Sequence, residues 1–259
     1  MTARAVVVPL SDSTAPTTAH FLPGVDGGLR PACAFAELVR DRLAVHGVML
    51  TGTDHPDAHD VEVQARLALD AVVRKTGGAP DRLIGYSYGA LVALEMAHQA
   101  LARGLSVPGL LLLDTPVTPG PQKAPSPVTM FWYIGQGAGL DLTLTEFAAL
   151  GPERRGAEVA RWCATRSPGF DLRAARTVYA TIEANCAAWA GHTARPWSGP
   201  ADVIIAEDSA ETGGDRADWS EVFPDGYRTR TVPGGHRDVL SEAGAVALAR
   251  AVTDLTAPL

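Results

Sequence analysis

Residues 82–97 read Arg82-Leu-Ile-Gly-Tyr-Ser-Tyr-Gly-Ala-Leu-Val-Ala-Leu-Glu-Met-Ala97, and their reading decides the fold. Leu83 and Ile84 form a short apolar run that ends in Gly85-Tyr86-Ser87-Tyr88-Gly89, after which Leu91, Leu94, Glu95 and His98 follow at helical spacing. Strand, tight turn and helix in that order are the context in which G-x-S-x-G acts as a nucleophile elbow. Glycines flank the serine because a Cβ at either place would collide with the neighbouring strand and helix. Ser87 is thereby pushed out at the top of a sheet, and the Tyr88 backbone N–H, at the positive end of the helix dipole, faces any oxyanion formed on attack.

Around this stretch lies a chain of 259 residues, 46% hydrophobic and 20% charged, enough for one large core and expected to form a single domain over 1–259. The net charge of -7 argues against a nucleic-acid or anionic-membrane surface, and no basic run opposes it, Lys75 and Lys123 being the only lysines. Cys33, Cys163 and Cys186 are too far apart for a C-x-x-C metal site and are expected to be buried thiols. Residues 1–10 lack a signal peptide's apolar region, and no segment has the apolar length of a membrane span, so a cytoplasmic location is expected.

Upstream of the elbow, residues 4–10 read as a first strand, and Ala19-His-Phe-Leu-Pro-Gly-Val-Asp-Gly-Gly28 as a strand running into a glycine-rich loop whose backbone approaches a ligand closely. Val25 is the candidate second oxyanion donor. A helix is expected over 33–44, a strand over 47–50 and a helix over 61–76 that stops at Gly77-Gly78. Between the last two, His55, Asp57, His59 and Asp60 crowd one loop, but Pro56 in their midst favours a solvated turn over a metal site, and neither metal nor cofactor is expected.

Downstream, Leu110-Leu-Leu-Leu113 is the pattern of a fully buried parallel strand, and Asp114 directly after it falls at the carboxyl edge where Ser87 also points. Residues 117–196 break the alternation with an almost purely helical insert, read as a lid. Within it Thr143-x-x-Glu146 is a capping box, Pro152 suits a first helical turn, and Asp171 precedes a long helix. Met130-Phe-Trp-Tyr-Ile134, followed by Gly135, Gly137 and Gly139, is either buried packing or the wall of an apolar tunnel with a mobile hinge, with Phe131, Trp132, Tyr133 and Tyr86 as candidate lining. Strands resume at 201–206, before the acidic pair Glu207-Asp208, and at 227–232, before Pro233-Gly-Gly-His236. His236 alone among the seven histidines sits in a loop directly after a late strand.

Ser87, Asp114 and His236 thus occur in the order serine, acid, histidine, each at the end of an expected strand. On these residues, with Phe21–Gly28, Leu110–Pro116 and Trp219, the whole chain resembles the thioesterase domains that release products from nonribosomal peptide and polyketide synthases. The resemblance implies an α/β-hydrolase fold, a mostly parallel central sheet flanked by helices with a helical lid insertion. In chain-terminating members the acid follows the strand after the elbow helix, the place of Asp114, whereas stand-alone editing members carry it one strand later, which keeps Glu207 or Asp208 as an alternative acid. The family implies an acyl-serine intermediate formed from a thioester on the phosphopantetheine of an acyl or peptidyl carrier protein, then hydrolysis or cyclisation. Without the extra N-terminal helices through which polyketide-type members dimerise, a monomer is expected. The rival expectations are an editing thioesterase, a general carboxylesterase and a non-catalytic binding module on the same fold.

Overall fold

A computed structural model describes residues 2–53, 55–106, 109–115, 120–121, 124–211 and 219–256. The strands are β1 (Arg4–Pro9), β2 (Thr18–Leu22), β3 (Ala44–Thr51), β4 (Arg82–Tyr86), β5 (Leu110–Leu113), β6 (Gly120–Pro121), β7 (Thr193–Ala194), β8 (Ala201–Ala206) and β9 (Arg228–Val232). Among the described residues seven of them form one sheet in the order β1-β3-β2-β4-β5-β8-β9, with β6 and β7 a separate small ribbon. Only β1 runs antiparallel to its neighbour in that sheet. Parallel strands need both faces covered, which is why β5 is four fully buried leucines.

One face is covered by α1 (Ala32–Val39) and the C-terminal helix, and the other by α2 (Val61–Thr76) and α3 (Gly89–Ala102). Between β5 and β8 the chain inserts α4 (Pro127–Ala138), α5 (Leu144–Ala149), α6 (Pro152–Ala164) and α7 (Leu172–Gly191). Then come the short α8 (Glu207–Glu211) and, after β9, α9 (Glu242–Thr256). The expected insert is helical, although its start at 117–119 lies outside the described residues. Its caps form as the sequence implies: Thr143 and Glu146 make the reciprocal capping box, Pro152 opens α6, and the Asp171 carboxylate accepts from the Ala174 N–H at 2.8 Å. Asp60, from the crowded histidine loop, caps α2 in the same way, and among the described residues no group of three or more His, Cys, Asp or Glu is arranged to hold a metal ion.

Three expectations are corrected. The helix expected over 33–44 ends at Val39, and β3 begins at Ala44 instead of Gly47. Arg40-Asp-Arg42 has no apolar face to continue the helix, and β3 has partners on both edges, with His46 opposite Pro9 on β1 and His20 on β2. Cys33 is exposed, because α1 turns Ala32, Phe35, Ala36 and Val39 inward and leaves position 33 on the outer side. The glycines after Tyr133 are not a loop hinge. Gly135 and Gly137 lie inside α4, where a Cβ would meet Leu140 at 2.8 Å and Arg237 at 2.5 Å, and only Gly139, at φ 101°, leaves helical conformation to end it.

Candidate active site

The elbow is built by steric exclusion. A Cβ on Gly85 would lie 2.5 Å from the Ala90 Cα and one on Gly89 2.2 Å from the Leu22 carbonyl oxygen, so α3 approaches β4 at the first glycine and the end of β2 at the second as closely as only glycine allows. Between them Ser87 adopts φ 52°, a left-handed conformation that costs a non-glycine residue about 1–2 kcal/mol. Only one other non-glycine residue among those described has positive φ, and it is Asp114, at 43°. Strain therefore falls on two of the three residues singled out from sequence.

Asp114 is buried where the ends of β5 and β8 meet. Its Oδ1 accepts from the Ala206 N–H at 2.9 Å, and its Oδ2 accepts from Ser209 Oγ at 2.8 Å and from His236 Nδ1 at 2.6 Å. Burial pushes its pKa up, but the hydrogen bonds from His236, Ala206 and Ser209, with the charge of the imidazole, outweigh this and hold the carboxyl below its usual range. Because a carboxylate only accepts, Nδ1 of His236 carries the proton and Nε2 is left as the acceptor. Of the alternative acids, Glu207 and Asp208 are both exposed on α8. The backbone N–H of Asp208 bonds the Gly234 carbonyl at 3.1 Å, which helps hold the loop that presents His236.

His236 is further held by Tyr86, whose hydroxyl donates to the His236 carbonyl oxygen at 2.9 Å and whose ring stacks on the imidazole at 5.0 Å between centroids. Tyr86 precedes Ser87, so this contact ties the histidine loop to the elbow. Among the described residues no hydrogen bond within 3.5 Å yet joins Ser87 to His236, as is common before a substrate draws such groups together.

The loop after β2 lies against the elbow: a Cβ on Gly24 would sit 3.7 Å from Ser87 Cβ. Among the described residues neither the Val25 nor the Tyr88 N–H makes a hydrogen bond, so both remain available to an oxyanion. The Tyr88 side chain turns away from the cleft and is buried, its hydroxyl donating to Gln64 Oε1 at 2.9 Å.

The aromatics expected to line a tunnel divide. Phe131 is buried between Phe147 and Tyr179 and lines, with Gly156, Ala175 and Tyr179, a cavity of about 140 Å³ within the insert, while Trp132 donates its indole N–H to the Leu142 carbonyl at 2.7 Å and packs inside the insert. Tyr133 instead faces the site, with the Arg237 guanidinium 3.5 Å above its ring. Sequence reasoning missed Ser209, Gln64 and Asn185. Ser209 follows the acidic pair directly at the end of β8, while Gln64 and Asn185 are polar residues on the inward rows of α2 and α7.

Residues 33–131 match the family model for the Thioesterase domain, a span that includes the elbow and Asp114. No curated protein matches the chain. The resemblance read from the motifs extends to solved structures over nearly the whole length. The four-domain nonribosomal peptide synthetase AB3403, bound to AMP and glycine, is 17% identical, with a TM-score of 0.82 over 98% of this chain, which itself spans only 20% of that protein. The Vlm2 thioesterase domain matches with 18% identity and a TM-score of 0.71 over the full length of both chains. The NocB thioesterase domain, in a covalent complex with a fluorophosphonate nocardicin G analogue, is 21% identical, with a TM-score of 0.67 over 98% of this chain and 100% of its own. These likenesses show a fold shared with those domains.

Proposed function

We propose that this chain is a serine thioesterase that takes an acyl, peptidyl or polyketide chain from the phosphopantetheine of a carrier protein and releases it through an acyl-Ser87 intermediate. The observation that carries the reading is the 2.6 Å bond between His236 Nδ1 and Asp114 Oδ2, on the rim where Ser87 stands in a strained turn. In that arrangement His236 takes the Ser87 proton through Nε2 as the hydroxyl attacks the thioester carbonyl, then returns it to the departing thiol. Asp114 fixes the tautomer and stabilises the imidazolium, and the Val25 and Tyr88 N–H groups receive the oxyanion. The acyl-serine then passes to water or to an amine or hydroxyl of the acyl chain itself. The acid's position after β5 supports a chain-terminating enzyme over an editing one.

Incubation with an alkyl fluorophosphonate followed by intact-mass measurement tests the chemistry: one phosphonyl adduct is expected on the wild-type chain and none on Ser87→Ala. An unlabelled wild-type chain would refute it and favour a binding module. Turnover of a carrier-loaded thioester is expected to exceed that of an aryl ester of the same acyl group, and equal turnover would point to a general esterase.

A further inference from the structure

Behind the two candidate oxyanion donors runs a closed line of buried hydrogen bonds that the reaction chemistry above does not use. The Tyr88 hydroxyl donates to Gln64 Oε1 at 2.9 Å, and Gln64 Nε2 donates both to the Ala58 carbonyl at 2.6 Å and to Asn185 Oδ1 at 2.9 Å. Asn185 Nδ2 then donates to the Val25 carbonyl oxygen at 2.8 Å. Tyr88, Gln64, Asn185 and Val25 are each at most 5% exposed. The line begins on the residue that supplies one oxyanion N–H and ends on the residue that supplies the other, crossing α2 and the insert helix α7 on the way.

Two features make this more than satisfied polar burial. The loop that carries Val25 is glycine-rich and rests over a cavity of about 30 Å³ lined by Pro23, Gly24, Gly27, Gln64, Tyr88 and Asn185 among others, so packing alone does not fix its height. Each link is also directional, and a shift of the carbonyl of Val25 turns the peptide planes on either side of it, including the one that carries its own N–H. The last link comes from α7, which meets the same loop again where a Cβ on Gly27 would lie 3.1 Å from Thr181.

We infer that Gln64 and Asn185 are positioning residues that set the spacing between the Val25 and Tyr88 N–H groups, and that through Asn185 the seating of α7 governs whether the oxyanion hole is formed. The inference rests on the thioesterase reading, since it presumes that those N–H groups receive an oxyanion. The helical insert then acts on chemistry through its last helix, by holding a backbone loop in register, as well as by covering the cleft.

The test uses saturation kinetics of Ser87 phosphonylation by an alkyl fluorophosphonate, whose phosphoryl oxygen occupies the oxyanion hole. Asn185→Leu and the paired Gln64→Met with Asn185→Leu approximate the side-chain shapes and remove the hydrogen bonds. The expected result is a maximal labelling rate lower by about tenfold to a hundredfold with the half-saturating concentration within about threefold of wild type. Near-ultraviolet circular dichroism at the assay temperature confirms that the variants are folded. Tyr88→Phe, which deletes one hydroxyl from the far end of the line, provides a milder variant if those two do not fold, and is expected to slow labelling by about fivefold. Folded variants that label at the wild-type rate overturn the inference and leave the thioesterase reading standing, whereas a wild-type chain that is not labelled overturns both.

Discussion

Tyr86 and His236, separated by 150 residues, are joined by a hydrogen bond of 2.9 Å from the phenol to the histidine carbonyl and by a ring stack at 5.0 Å. Tyr86, the residue before Ser87, thus holds both the backbone and the ring of His236. Tyr86→Phe keeps the stack and loses the bond, and the expected cost is about fivefold in kcat with little change in KM. Tyr86→Ala removes both contacts and is expected to cost more, which steady-state kinetics on one thioester substrate would resolve.

Asp114→Asn preserves the shape of the site but offers His236 Nδ1 a donor as well as an acceptor, so the imidazole can sit in the wrong tautomer. A loss of about 10³–10⁴ in kcat is expected. Ser209→Ala removes a single bond to the same carboxylate, with an expected loss of about fivefold. If replacing Glu207 or Asp208 by the corresponding amide matched the Asp114→Asn loss, the acid would have been misassigned.

Acid stability is expected to follow the histidines. His20 is fully buried, among the described residues neither of its ring nitrogens has a hydrogen-bond partner, and desolvation, with the neighbouring His46, lowers its pKa to about 4. The unfolded chain takes up that proton near pH 6.5, so the stability contributed by neutral His20 is complete above 6.5 and lost as the pH falls towards 4. The loss is on the order of 3 kcal/mol. Asp114, whose pKa is also lowered, has a linkage of the same sign in a more acidic window, its contribution being lost only as the pH falls below the ordinary carboxylate range. Urea denaturation at a series of pH values should show the decline in wild type and a flatter profile in His20→Leu.

The elbow glycines should be irreplaceable where a nearby glycine is not. Gly85→Ala or Gly89→Ala puts a methyl against backbone at 2.5 or 2.2 Å, with an expected loss of at least about 3 kcal/mol. Gly78, with nothing within 4 Å of its Cβ position, should accept alanine within about 0.5 kcal/mol. Thermal midpoints of the three variants would decide it.

Arg237 hooks the insert to the histidine loop, its guanidinium over Tyr133 and one nitrogen in the notch left by the missing Cβ of Gly137. Gly137→Ala should expel it. Faster amide exchange in α4 is expected, by roughly the two- to fivefold that a cation–π contact of about 0.5–1 kcal/mol supports, and unchanged exchange would show that the hook bears no weight.

What the chain discloses residue by residue follows the range of the interaction. The elbow, the leucines of β5 with Asp114 behind them, and His236 after β9 are signalled by neighbours within ten residues, because strand, turn and cap chemistry is local. The three caps of the insert are local too. The helix end at Val39 is not legible locally, because β3 is claimed by pairing on both edges, which no window around residue 40 contains. Gln64 and Asn185 lie 121 residues apart, and each alone is merely a polar interruption in an apolar row. The positive φ of Asp114 has no glycine or asparagine to announce it.

The backward-twisted backbone at residue 87 has a cost that a simpler residue would avoid. Ser87→Gly fits φ 52° without penalty and should melt later than the wild-type protein while catalysing nothing. Thermal robustness and the proposed chemistry therefore pull in opposite directions at this one position, and a screen for heat resistance alone would discard the serine.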